Sequence, residues 1–189
     1  MSGFSFDLVE RVPAHRRERK ATFLLLVGTA GPYGEVCLRV TNAPQEATLV
    51  GDGLPDATIS HPDTPYGYIT LDAQTRLTVG GVAARLSRNR RALRKEDRGI
   101  GIVLGDRHYT YLCAPTGREE LRDSERGPVV QKDDPGVSAA MTMVVLSEAD
   151  ATDLALALIM QGANRLGLTV GGAIVSGVMS FLNGSHGNG

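Results

Sequence analysis

The chain has 189 residues, a formal net charge of −1 at pH 7, 5% aromatic side chains and no Trp. That length suits one domain with at most a small appendage. The near-neutral charge argues against a dedicated nucleic-acid binder, which carries a clear basic excess. Cys37 and Cys113 are too far apart for a local metal knuckle and too few for a disulfide framework. Both sit in strand-like apolar runs, where reduced buried thiols are expected. The first residues show no basic segment leading into an apolar one, and the glycine is Gly3 rather than the second residue. Neither a secretory nor a myristoylation signal is therefore expected, and the expected location is cytoplasmic, at most peripheral to a membrane.

Residues 4–12 alternate as a first strand, with Phe4, Phe6 and Leu8 on one face, and Pro13 stops it. Residues 15–20 form a charged connection in which Arg16, Arg17, Arg19 and Lys20 face one Glu18. Residues 21–27 read as a strand that is apolar on both faces after Thr22. Residues 28–34 turn it, and 35–41 follow as its hairpin partner. Short strands are predicted at 47–50, 57–60, 66–71 and 76–79, and residues 83–94 are read as either partly helical or a long hairpin connection. Residues 99–104 and 108–113 make another hairpin, with 105–107 at its tip. From 113 to 141 the chain is polar, predicting a short strand at 128–131 and otherwise loop. Residues 141–146 are the last strand. Gly and Pro at these intervals between short β-branched runs signal an antiparallel barrel or sandwich.

The next stretch organises the rest. Ser147 is positioned to cap a helix, Asp150 stands three places on, and Asp153 adds negative charge near the positive end of the dipole. From Leu154 to Met160 every side chain is apolar, so the helix has no polar stripe there. A helix apolar all round belongs inside a protein or a membrane, and this run is far shorter than the roughly 20 residues that span a bilayer. The expected fold is therefore mainly β with a buried C-terminal helix. It is an antiparallel barrel of roughly ten to twelve strands around a hydrophobic helix near 148–161, filling residues 1–166. Closure also hides strand edges that would otherwise aggregate. Residues 167–182 form a C-terminal apolar appendage, and 183–189 a Gly-rich flexible tail.

Chemistry-bearing motifs are few. Gly28-x-x-Gly31-x-x-Gly34 runs from strand to strand with no Lys and no helix, so it is a hairpin turn rather than a phosphate loop. His15, His61, His108 and His186 have no partner at zinc-ligand spacing. Ser60, His61 and Asp63 are neighbours on a turn, and no Gly-x-Ser-x-Gly elbow occurs. No catalytic residue, metal ligand or cofactor is assigned, and the balance leans away from an enzyme. The acidic pairs Glu119-Glu120 and Asp133-Asp134 sit among neutralising bases on what is read as loop.

One imbalance stands out. Arg85, Arg88, Arg90, Arg91, Arg94, Lys95 and Arg98 are opposed only by Glu96 and Asp97. On a helix, Arg90 and Arg94 share a face, as do Arg91, Lys95 and Arg98. The stretch is either a solvated face or an anion surface joined in space by Arg16, Arg17, Arg19 and Lys20. Anionic lipid head groups suit it at about 1 kcal/mol per basic residue. Nucleic acid suits it less, since no aromatic lies within the run to stack on bases. Residues 172–182 read as a second helix whose Gly172, Ser176 and Gly177 allow close approach. Its apolar Ile174, Val175, Val178, Met179, Phe181 and Leu182 would meet the barrel, a partner protein or a second copy.

Met141-Thr-Met-Val-Val-Leu146 followed by Ala149-Asp-Ala-Thr-Asp-Leu-Ala-Leu-Ala-Leu-Ile-Met160 resembles the ending of the tubby C-terminal-like group, which includes phospholipid scramblases and plant LURP-one-related proteins. In strand order the likeness extends over residues 4–166; as a motif it covers these residues alone. It implies a closed antiparallel barrel around a hydrophobic helix, and association with membrane lipid. The chain departs from the family in its continued apolar content over 168–182. It also lacks a Pro-rich N-terminal arm, a cysteine cluster and an acidic loop with calcium-ligand spacing. No phosphoinositide-binding residue matches one for one, so none is carried over. Three functions are expected, in this order. The first is a non-catalytic binding or scaffold protein associating with anionic lipid. The second is an interaction or assembly subunit using the C-terminal apolar segment, and the third a small-molecule enzyme or carrier with a cavity at the barrel mouth.

Overall fold

The computed structural model describes residues 2–62, 67–88, 99–113, 118–133 and 140–164. Twelve strands are Phe4–Glu10 (β1), Thr22–Thr29 (β2), Glu35–Asn42 (β3), Gln45–Gly51 (β4), Ala57–Ser60 (β5), Arg76–Val79 (β6), Val82–Arg88 (β7), Ile100–Leu104 (β8), Arg107–Cys113 (β9), Glu119–Asp123 (β10), Gly127–Asp133 (β11) and Ala140–Val145 (β12). Each pairs antiparallel with its sequence neighbours, and β1 pairs with both β2 and β12, so the sheet closes into a barrel. The alternation of apolar residues sets which face turns inward. Val40, Ala47, Ile59 and Leu77 pair successively across β3 to β6, and all are buried.

Inside the barrel lies the helix Ala151–Ile159 (α2), continued by a 3-10 turn at Met160–Gly162. Leu154, Ala155, Leu156, Leu158, Ile159 and Met160 are wholly inaccessible. A helix apolar on every side is thus enclosed on every side, each large side chain contributing about 1.5–3 kcal/mol of burial. Gly162 permits a close approach of helix end to barrel wall: a Cβ there would lie 2.6 Å from the Ala47 Cβ. Among the described residues, no helix is long and apolar enough to cross a membrane.

Several expectations are corrected. The helix cap is Asp150, not Ser147: its carboxylate accepts from the Thr152 and Asp153 backbone N–H groups, and the Asp153 side chain accepts from the Asp150 N–H. The capping box is present but starts three residues later than read. Residues 82–88 are strand rather than helix. Gly80 and Gly81, at φ 58° and 77°, form the two-residue turn that a hairpin needs, and barrel pairing outweighs the helical preference of Ala, Arg and Leu. Residues 67–71 form no strand, only an isolated parallel bridge from Ile69 to Ala163. The polar stretch read as loop holds β10 and a longer β11 than predicted. Residues 16–21, read as a connection, form a short helix, Arg16–Ala21 (α1). Cys37 and Cys113 are half-buried and unbridged rather than fully buried.

The barrel's two ends differ. At the turn end, where α2 begins, strands are joined by two to five residues, and the chain passes from β12 into α2. At the exit end, where α2 finishes, all but two of the connections are longer: 11–21 with α1, 61–75, 89–99 and 134–139.

Candidate functional site

Apart from Gln45 and His61, the buried polar residues lie along one seam. Asp153, Ala157 and Gln161 recur every four residues, so they share one face of α2. That face looks onto β9, β10 and β11, whose inward positions carry Arg107, Tyr109, Tyr111, Glu119, Asp123 and Lys132.

At the turn end the seam is a charged network on the helix start. The Tyr109 hydroxyl donates to Asp153 (2.8 Å), and the Arg126 guanidinium donates to both Asp153 oxygens (2.8 and 2.9 Å). Arg126 also donates to Asp123 (3.0 Å), and Arg107 to Asp150 (2.6 Å). Asp153 is fully buried, so its charge is tolerated only because these donors surround it. Burial alone would raise the Asp123 carboxyl, but the Arg126 guanidinium and the Arg126 and Glu125 backbone N–H groups outweigh it and hold it at about 2. Burial opposes ionisation of Asp150 too, yet the Asp153 N–H and the Arg107 guanidinium lower its pKa. Burial chiefly pushes the Tyr109 phenol up, keeping it a donor.

Toward the exit end the seam is a second cluster. Lys132 Nζ donates to Glu119 Oε1 (3.1 Å), and the Tyr111 hydroxyl donates to Glu119 Oε2. Gln161 Nε2 reaches the Tyr111 hydroxyl (2.8 Å), Glu119 Oε2 (3.1 Å) and the Ala157 carbonyl (3.2 Å). Tyrosine, glutamate and lysine together have the makings of acid–base chemistry. Here, however, the space between them, walled also by Met143 and Ala157, admits no water-sized sphere. The cluster therefore fixes the helix end. A strap completes the hold: Ile69 N–H donates to the Gly162 carbonyl (2.9 Å), and Asn164 N–H to the Ile69 carbonyl (2.7 Å). His61 Nε2 lies 3.0 and 3.1 Å from the Asp72 oxygens, tying together residues 61–75, which carry the strap. His61 thus pairs with Asp72, and the neighbouring Ser60 takes no part in that bond.

The basic residues picked out from sequence divide by place. Arg16 and Arg17 stand on α1 with Arg19 and Lys20, and no residue of that helix is buried. Arg85 and Arg88 stand on β7. Arg85 pairs with Val103 and faces outward; Arg88 pairs with the buried Ile100, so it has inward parity at the rim. The α1 cations and Arg88 belong to the exit end, whereas Arg85 stands midway along β7. The α1 cations and Arg88 do not join, because β3 to β6 separate β2 from β7 around a barrel at least about 18 Å across at the usual strand spacing. Arg90, Arg91, Arg94, Lys95 and Arg98 lie outside the described residues, as do Gly172, Ile174, Val175, Val178, Met179, Phe181 and Leu182.

Sequence reasoning missed the seam. Its signals were present: Tyr109-x-Tyr111 on one strand, Glu119-x-Leu121-x-Asp123 alternating on the next, and Asp153 and Gln161 framing Ala157 two turns apart. Among the described residues, no three His, Cys, Asp or Glu side chains gather as a metal cage. Comparison with protein-family models, with curated proteins and with solved structures found no match.

Proposed function

We propose that this protein is a non-catalytic binding protein that engages anionic membrane lipid from the exit end of its barrel. The observation that carries this reading is the distribution of cations. The arginines of the interior seam are bonded to aspartates, whereas Arg16 and Arg17 on α1 are exposed at the exit end, where the exposed Arg88 closes β7 on the same rim, and Arg85 faces solvent midway along that strand. Cations on opposite sides of one rim can meet a flat anionic surface together, each contributing about 1 kcal/mol. Such binding weakens as salt rises. The likeness to the tubby-like group supports the same direction. Sedimentation with phosphatidylserine-containing vesicles tests it. Arg85→Glu/Arg88→Glu is expected to lose most of the bound fraction, and wild-type binding to fall with added salt. Binding indifferent to lipid charge and to salt would overturn the reading.

A further inference from the structure

The geometry points to residues 12–23, together with Tyr68, as the part of the exit end that enters the lipid interface. This inference rests on the lipid reading above and adds which surface makes contact and how. Three observations carry it.

First, α1 is six residues long and wholly exposed, with Arg16, Arg17, Arg19 and Lys20 against a single Glu18. Isolated helices much shorter than about 12 residues are marginal in water. No hydrogen bond or ion pair holds any of these four cations among the described residues. Second, large apolar side chains flank this helix in the open. Val12 is 75% exposed, and Phe23, 42% exposed, leads into the outward-facing Leu25 and Val27 of β2. Third, Phe23 packs edge-on against Tyr68, with ring centroids 5.1 Å apart and planes at 82°. The Arg11 N–H to Leu25 carbonyl bond (2.8 Å) keeps Val12 beside the start of β2.

A cationic helix between an exposed valine and an aromatic pair matches the chemistry of the bilayer interface. The cations meet anionic head groups, and the rings sit at the level where Tyr and Phe favour an amphipathic boundary. A soluble polyanion would use the four cations but would offer nothing to Val12 or Leu25. An anionic bilayer is therefore the occupant.

The absence of Trp makes a direct test simple. Phe23→Trp is expected to shift to the blue on phosphatidylcholine vesicles containing phosphatidylserine, and to be quenched by brominated acyl chains. Vesicles of phosphatidylcholine alone should do neither. Val82→Trp, at an exposed position of the turn end, should stay unshifted throughout. Val12→Trp provides a second reporter should Phe23→Trp fold poorly. Arg16→Gln/Arg17→Gln should lower partitioning about 30-fold, the equivalent of about 1 kcal/mol for each of two charges. Vesicle binding with both exit-end reporters unshifted would overturn this inference and leave the lipid reading standing. No binding to anionic vesicles would overturn both. A shift produced by heparin but not by vesicles would replace the bilayer with a soluble polyanion and overturn it too.

Discussion

The two ends of the barrel handle charge in opposite ways. At the turn end, Arg107 and Arg126 are bonded to Asp123, Asp150 and Asp153, so the cations neutralise the buried Asp153 of the helix start, its cap Asp150 and the buried Asp123 of β10. At the exit end, the buried pair Lys132–Glu119 is likewise matched, but α1 outside it carries four cations and one anion with nothing buried. The same residue types thus hold the fold at one end and stay available at the other. Local density of arginine in a sequence does not separate these roles; the parity of each arginine on its strand, and what stands opposite, does.

The sharpest way to break that comparison is to remove Asp153. Asp153→Ala leaves the partly buried Arg126 guanidinium and the Tyr109 hydroxyl without their main acceptor. It also deletes half of the capping box. A loss of about 3–5 kcal/mol is expected in urea unfolding. Arg16→Gln/Arg17→Gln, on the exposed helix, should stay within about 0.5 kcal/mol of wild type in the same experiment. Equal losses would mean that the exit-end cations are structural after all.

A smaller effect belongs to the buried pair at the other end of the seam. Lys132 and Glu119 are each 8% exposed, and Tyr111 and Gln161 satisfy the second carboxylate oxygen. Lys132→Met strands a buried carboxylate, and Glu119→Leu strands a buried ammonium, at about 3 kcal/mol each. The double variant should cost less than either single change, because it leaves no uncompensated charge. Additive losses in a double-mutant cycle would show that the two side chains act separately.

How much of this was legible beforehand follows from what each residue faces. The enclosed helix could be read because Leu154 to Met160 leaves no polar side, whatever the strands do. The barrel could be read because most inward positions, such as Leu38, Val40, Leu49 and Ile59, are apolar and alternate. β10 could not: its inward Glu119 and Asp123 are polar, so Glu119-Glu-Leu-Arg-Asp123 looks like solvated loop. Inward polar residues are stable there only because Tyr111, Lys132 and Arg126 arrive from β9, β11 and the adjoining turn. No one-strand pattern contains that information. β7 was misread for the complementary reason, since Ala83, Ala84, Arg85 and Leu86 favour helix until Gly80 and Gly81 fold them back on β6. The rim was half legible: the basic run of α1 was visible, as was a strand apolar on both faces after Thr22. The contact between Phe23 and Tyr68 spans a sequence distance that only the closed barrel bridges.

The mildest test uses acid, which acts on the turn end and spares the exit-end cations. The Asp123 carboxyl sits at about 2 in the folded protein, below the value of about 3.9 usual for an unfolded chain. A group depressed in this way stabilises the fold fully above pH ~4, and that contribution drains away as pH falls toward 2. Asp150 is lowered in the same direction by the Asp153 N–H and Arg107, so it steepens the same limb. The thermal midpoint of the wild type should therefore fall between pH 4 and pH 2, by an amount worth roughly 1–2 kcal/mol for Asp123. Asp123→Asn keeps an acceptor for the Glu125 and Arg126 N–H groups but has no charge to lose. Its deficit should be present at pH 5 and vanish near pH 2, so that the two curves converge. Arg16→Gln/Arg17→Gln should follow the wild-type curve throughout, because among the described residues those cations pair with no carboxylate. Parallel curves for wild type and Asp123→Asn would move the acid sensitivity elsewhere, and with it the claim that the turn end is where buried charge holds the helix.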